Sequence, residues 1–162
     1  MIIAHAPSNF NIHDVYYCKP IRNKIMPGGM FVRLIYSNEL VSINGIHVSF
    51  SLYGRIQEIY NNKFKYTHAD SNDDSTISII NAIEKAILEN ANITNKNPQY
   101  KLQEQLQSGC FKYFQDNILP SKTVKQTNSQ PPRFTSFVLK ISGIWTTDVE
   151  YGITYKFTKV SS

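Results

Sequence analysis

The chain has 162 residues and a formal net charge of +5, and its length fits one domain built around one hydrophobic core. We expect neither a membrane span nor a signal peptide, because the sequence has no run of about 18 apolar residues and no basic segment leading into an apolar one. Its two cysteines, Cys18 and Cys110, lie far apart, which argues against a disulfide scaffold and for an intracellular protein with reduced thiols.

Residues 1–28 precede the first clear hydrophobic pattern. Three prolines and a Pro-Gly-Gly break predict an irregular N-terminal arm, and residues 29–162 are predicted to form a single α+β domain. The sequence leaves open whether the arm packs on this domain or on a neighbouring molecule.

Strands are predicted over residues 30–68. Asn44-Gly45 is typical of a two-residue hairpin turn, and such a turn would pair Ile43 with Ile46. A second hairpin turn is predicted at residues 60–63, which contain two consecutive asparagines.

Helices are predicted over residues 75–118. The first carries apolar residues at helical spacing, namely Ile77, Ile80, Ile83, Ile87 and Leu88. Asn97-Pro98 is typical of an N-cap followed by proline, so a second helix is predicted to start there, with Cys110, Tyr113 and Phe114 on its buried stripe. Residues 120–133 are polar and flanked by prolines, which predicts a surface loop.

Two further strands are predicted over residues 134–160. Apolar positions alternate with polar or basic ones, as in Phe137, Leu139 and Ile141 against Lys140 and Ser142, and in Ile153, Tyr155 and Phe157 against Thr154, Lys156 and Thr158. This period of two predicts one face in the core and a second face that carries lysines.

The charge is uneven along the chain. Residues 1–68 and 119–162 each carry a net charge of +4, whereas residues 69–118 carry −3. The basic parts coincide with the predicted strands, so the folded sheet is expected to attract polyanions. Lysines that merely solvate the surface are the simpler alternative.

No motif indicates catalysis, and we expect a binding protein that is not an enzyme. The sequence has no GxxxxGK[ST], GxGxxG or GxSxG pattern. Asp148 and Glu150 lie in a predicted turn, where solvated charge is the expected role. Histidines and cysteines show no CxxC or HxxxH spacing, so we expect no metal site and no cofactor.

Basic residues interleaved with aromatic residues are the remaining candidate for function. Such a surface suits a single strand of nucleic acid, because cations neutralise phosphates and rings stack on unpaired bases. The candidate binding residues are Arg33, Arg55, Lys63, Lys65, Tyr66, Lys140, Trp145, Tyr155 and Lys156. For each aromatic residue, a place in the core is the alternative, with Trp145 plugging the end of a barrel.

The order of elements fits a small antiparallel β-barrel of the oligonucleotide-binding type with an inserted helical pair. Ile144-Trp145 followed by residues 151–157, YGITYKF, resembles the closing strands of single-stranded DNA-binding proteins of phage replication and of their relatives in large eukaryotic DNA viruses. This resemblance implies sequence-tolerant binding of single strands, often by a homodimer. It places Lys140, Trp145, Tyr155 and Lys156 on or beside the binding groove.

The resemblance also sets the expected partners and location. Single-stranded nucleic acid, with DNA favoured over RNA, is the first expected partner, followed by a second copy of the chain or other viral proteins. The expected location is the host cytoplasm, the nucleus or the virion. The alternative prediction is a virion-associated or structural interaction module whose basic faces meet acidic proteins or packaged genome. Such a module would show little preference for single over double strands.

Overall fold

The computed structural model describes residues 4–69, 74–115 and 130–160. These residues form two α-helices and ten strands, and the α+β class predicted from the sequence is confirmed. The elements are β1 (Val15–Tyr17), β2 (Ile21–Arg22), β3 (Met30–Ser37), β4 (Ser42–Asn44), β5 (Ile46–Tyr60), β6 (Lys63–His68), α1 (Asp74–Asn90), β7 (Asn97–Gln99), α2 (Lys101–Gln107), β8 (Cys110–Phe114), β9 (Arg133–Thr146) and β10 (Glu150–Lys159).

All ten strands belong to one mainly antiparallel sheet. Its hydrogen-bonded path runs β1-β3-β9-β5-β6-β8, and β10 pairs with the other edge of β9. The first part of β9 pairs with β5 and the last part with β3, so β9 is the central strand of the sheet. Among the described strands, β7 and β10 form the one parallel pair.

The predicted hairpin at residues 60–63 is confirmed. It joins β5 to β6, and its central residues Asn61 and Asn62 have φ values of 37° and 66°. Asparagine tolerates this left-handed conformation better than most residues, and it is the conformation that a two-residue hairpin turn needs.

The predicted hairpin at Asn44-Gly45 is wrong. β4 pairs with β3, where Ile43 is opposite Tyr36, while β5 pairs with β9. Gly45 has a φ of 79°, and its N–H donates to the carbonyl of Leu34 at 2.8 Å. The glycine therefore redirects the chain from one partner strand to another instead of reversing it.

The first predicted helix is confirmed as α1, but the second prediction is wrong over most of its length. The segment that begins with Asn97-Pro98 is β7, and α2 ends at Gln107. Gly109, with a φ of 78°, follows the end of α2. In β8, buried and exposed residues then alternate, which is the pattern of a strand.

The core fills the space between one face of the sheet and the two helices. Phe111 of β8 stacks on Phe157 of β10 with ring centroids 4.0 Å apart, and Phe137 of β9 meets Phe111 edge-on at 5.0 Å. These contacts bring β8 close to β10, although no hydrogen-bonded ladder joins the two in the described sheet. The sheet is curled and not closed, so the predicted barrel is not confirmed.

The described part of the predicted N-terminal arm, residues 4–28, packs on the domain. β1 and β2 pair with β3, and the hydroxyl of Tyr17 donates to the carbonyl of Ile87 on α1 at 2.7 Å. Most of the predicted loop at 120–133 lies outside the described residues. Neither α1 nor α2 is long and apolar enough to cross a membrane.

A buried carboxylate joins the two helices. Glu84 of α1 is fully buried, and its two carboxylate oxygens accept hydrogen bonds from the backbone N–H groups of Leu102 and Gln103 at 3.1 and 2.8 Å. These N–H groups lie in the first turn of α2, where a helix offers them no partner. Burial raises the pKa of Glu84, and the two hydrogen bonds act in the opposite direction.

We predict that Glu84→Ala lowers the free energy of unfolding by about 2–4 kcal/mol, because two buried N–H groups lose their acceptor. Urea denaturation followed by circular dichroism measures the change. Glu89→Ala is the matched control on the exposed side of α1, where the carboxylate has a 3.8 Å ion pair with Lys85, and we expect a change below about 0.5 kcal/mol. Equal losses in both variants would contradict the capping role of Glu84.

Candidate nucleic-acid interface

The outer face of the sheet, opposite the core, carries a row of three basic side chains. Lys156 of β10 is directly opposite Lys140 of β9, and Lys140 is directly opposite His47 of β5. Neighbouring strands lie about 4.8 Å apart, so the three side chains share one surface. The ion pairs within the described residues involve none of them.

A second basic pair lies on β6 and β8. Lys65 is opposite Lys112, and both alternate with inward-facing aromatic residues, Tyr66 and Phe111, that are buried. Lys112 is exposed and Lys65 is half-buried. The pair therefore also lies on the outer face.

A cleft between β8 and β10 connects the row of Lys156, Lys140 and His47 to the pair of Lys65 and Lys112. Lys112 and Lys156 both line this cleft of about 530 Å³, together with Phe114 and Thr158. The basic side chains therefore continue around the curled sheet across five strands. We call this set the basic belt, and it consists of Lys65, Lys112, Lys156, Lys140 and His47.

His47 lies close enough to the lysines of the belt for their charges to act on it. Burial lowers the pKa of His47 the most, and the charge of Lys140 lowers it further. A hydrogen bond with the backbone of Gly45 acts in the opposite direction, while His5 and Lys156 add smaller repulsions. A bound anion would relieve these repulsions.

Three predicted binding residues, Lys65, Lys140 and Lys156, belong to the belt. Arg33 lies beside it, exposed on the outer face of β3 and opposite Gly143 of β9. Arg55 flanks the other end of the belt, because it is exposed on β5 opposite Thr67, two residues from Lys65 on β6, and it lies about 26 Å along β5 from His47.

Two predicted aromatic contacts face the core side of the sheet. The prediction for Tyr66 is wrong, because its ring is 1% exposed and its hydroxyl donates to the carbonyl of Tyr53 at 2.9 Å. Tyr155 lines the cleft from the side of α2, where its hydroxyl donates to the Gln105 side chain at 2.6 Å. Burial raises the pKa of Tyr155 to about 12.

Trp145 lies on the outer face, near the end of β9. Its half-buried ring covers Gly152 of β10, since a Cβ at position 152 would lie 2.8 Å from a ring carbon. Phe31 of β3 is its register partner and covers Gly143 in the same way. Trp145 therefore packs flat against the sheet and does not plug the end of a barrel.

Lys63 is the first residue of β6, two residues from Lys65. Its ammonium nitrogen lies 5.5 Å from the ring centroids of both Tyr60 and Phe114. The attraction between the cation and the ring faces holds the three side chains together. Lys63 is thus next to the belt, but its charge is already in contact with aromatic rings.

Three residues at this surface are not among those predicted from the sequence to bind, namely Lys112, Phe114 and His47. The first two lie in a segment predicted as helix, although Phe111 and Tyr113 alternate with them at a period of two. That alternation is the sequence signal that indicates a strand at this position. No comparable signal singles out His47, whose position depends on the pairing of β5 with β9.

Comparisons with models of known protein families, with curated proteins and with solved structures find no match for this chain. The described residues also contain no group of three or more His, Cys, Asp or Glu that could hold a metal ion. A function therefore has to be inferred from the geometry of the basic belt and its surroundings.

We predict that Gly152→Ala displaces the ring of Trp145, because the added Cβ would overlap it. Trp145 is the single tryptophan of the chain, so its emission maximum should shift to the red, with a loss of about 1–3 kcal/mol in unfolding free energy. Thr154→Ala, at an exposed position of the same strand, is the control and should leave the emission unchanged. Emission unchanged in Gly152→Ala would contradict the packing.

Proposed function

We propose that the protein binds single-stranded nucleic acid through the basic belt and has no catalytic role. The observation that carries this proposal is the cross-strand register that places Lys140 directly opposite Lys156 on one side and His47 on the other, extended through the cleft to Lys112. Like charges held this close repel one another in the free protein. Phosphate groups would neutralise them and release counterions, which supplies most of the affinity in such complexes.

The curvature of the belt favours a single strand over a duplex. The belt follows a sheet that curls until β8 meets β10. A flexible single strand can follow this path, whereas a duplex, stiff over about 150 base pairs, would touch a convex surface at few phosphates. Lysine contacts to phosphates carry no base information, so the binding is sequence-tolerant.

Two further features support DNA and a barrel of the oligonucleotide-binding type as part of the proposal. The C-terminal strands resemble those of single-stranded DNA-binding proteins of phage and large DNA viruses, as noted above. Strands β9, β5, β6, β8 and β10 follow one another around the curl, and aromatic packing bridges the remaining gap. A second copy of the chain, or another viral protein, remains a proposed partner.

One observation favours a second candidate, a protein-interaction module. Ile25 and Leu40 are 90% and 94% exposed in turns that flank β3. Ile21 and Met30, near the first turn, are exposed as well. The exposed apolar residues Ile21, Ile25 and Met30 at the first of these turns form a group typical of protein contacts, and such a module would bind single and double strands equally.

We predict that labelled oligothymidine binds the protein and that unlabelled single strands compete with it better than duplex. Fluorescence anisotropy between about 50 and 200 mM salt measures both affinity and salt dependence. Changing Lys140 and Lys156 to Gln should weaken binding and reduce the slope of log affinity against log salt by about 1.4, since each lost phosphate contact removes about 0.7.

Lys85→Gln is the matched control for charge, because Lys85 is exposed on α1 and paired with Glu89. Equal competition by single strands and duplex would favour the interaction module. If the native protein does not bind oligothymidine at low salt, the proposed function is wrong.

We predict that affinity for oligothymidine increases as the pH falls from about 8 to about 6. The pKa of His47 is lowered in the free protein, and a bound phosphate would raise it, so the complex takes up a proton. His47→Gln should remove this increase, whereas His13→Gln, at an exposed position away from the belt, should not.

The free energy of unfolding should decrease as the pH falls, whereas the affinity for oligothymidine increases. Because the pKa of His47 is lowered in the folded state, the unfolded chain binds more protons below about pH 6.5, and the His47 contribution to stability is lost as the pH falls. An affinity that does not change with pH would contradict a phosphate contact at His47.

A further inference from the structure

Two exposed aromatic rings lie next to the basic belt. Tyr60 and Phe114 are 56% and 61% exposed, although rings of this size are usually buried in part or in full. In the strand register, Lys63 is opposite both Tyr60 and Phe114. The turn of the β5–β6 hairpin and the end of β8 therefore present two rings, one on either side of Lys63.

The position of Phe114 relates these rings to the belt. Phe114 follows Lys112 by two residues on the same face of β8, a distance of about 6.6 Å along a strand, and it lines the cleft with Lys112 and Lys156. A nucleotide whose phosphate contacts Lys112 would have its base within reach of the Phe114 ring.

The surroundings of the rings suit an anionic ligand. In the described parts of the β5–β6 hairpin and β8, Glu58 is the one acidic residue. Its register partner is Phe64, whose ring stacks on Tyr113 on the core side of the sheet. The outer face around Lys63 and Lys112 is therefore free of carboxylates over these strands.

We propose that Phe114 and Tyr60 form a stacking platform for unpaired bases of a strand whose phosphates lie on Lys112 and Lys156. This inference rests on the proposed function and adds the platform, beside the curvature of the belt, as a second source of the single-strand preference. Aromatic faces stack on any unpaired base, whereas the bases of a duplex are already stacked on one another. Lys63 fixes the two rings in place, so little side-chain freedom is lost on binding.

The test compares Phe114→Ala and Tyr60→Ala on two probes, oligothymidine and an abasic oligonucleotide with the same number of phosphates. Each variant should bind oligothymidine about 5- to 50-fold more weakly and the abasic probe with unchanged affinity. The salt slope should stay the same, because no phosphate contact is removed. Phe114→Trp, which keeps a ring, should restore binding.

Phe134→Ala is the matched control, since Phe134 is 70% exposed on β9 and packs on Tyr53, away from the belt. Equal weakening on both probes would overturn the platform as a stacking site while leaving the belt intact. Equal affinity of the native protein for the two probes would overturn it in the same way. If the native protein binds neither probe at low salt, the proposed function fails and the platform with it.

Discussion

The stack of Phe111 on Phe157 is the contact on which the surface of this protein depends. No hydrogen-bonded ladder joins β8 to β10 in the described sheet, so burial of aromatic area holds the two strands together. Rings 4.0 Å apart bury apolar surface worth about 1.5–3 kcal/mol for each side chain. Without this contact, the sheet would open and the cleft between β8 and β10 would lose one wall.

The same contact assembles the charged surface. Each stacking ring has a lysine as its chain neighbour, Lys112 after Phe111 and Lys156 before Phe157. Because successive side chains on a strand point to opposite faces, bringing the rings together inside also brings the lysines to the two walls of one cleft outside. The same two strands thus supply the aromatic stack on their core face and the lysines of the proposed binding surface on their outer face.

Helix α2 supports this arrangement from the core side. It has seven residues, too few to be stable alone in water, and the buried carboxylate of Glu84 satisfies its first N–H groups. Gln105 of α2 in turn accepts the hydroxyl of Tyr155 on β10. A carboxylate on α1 therefore helps to position the strand that carries Lys156.

The local pattern of the sequence is sufficient to predict the faces of β9 and β10, helix α1 and the turn at Asn61-Asn62, because period, helical spacing and turn chemistry act over a few residues. It also placed Lys140 and Lys156 on the outer face. Long-range pairing and packing account for three further features: β8 is a strand, Tyr66 is buried and Lys112 reaches the cleft. A five-residue segment such as β8 fits a helix or a strand locally, and its state is fixed by pairing with β6 and by packing against distant β10, contacts that local patterns do not encode.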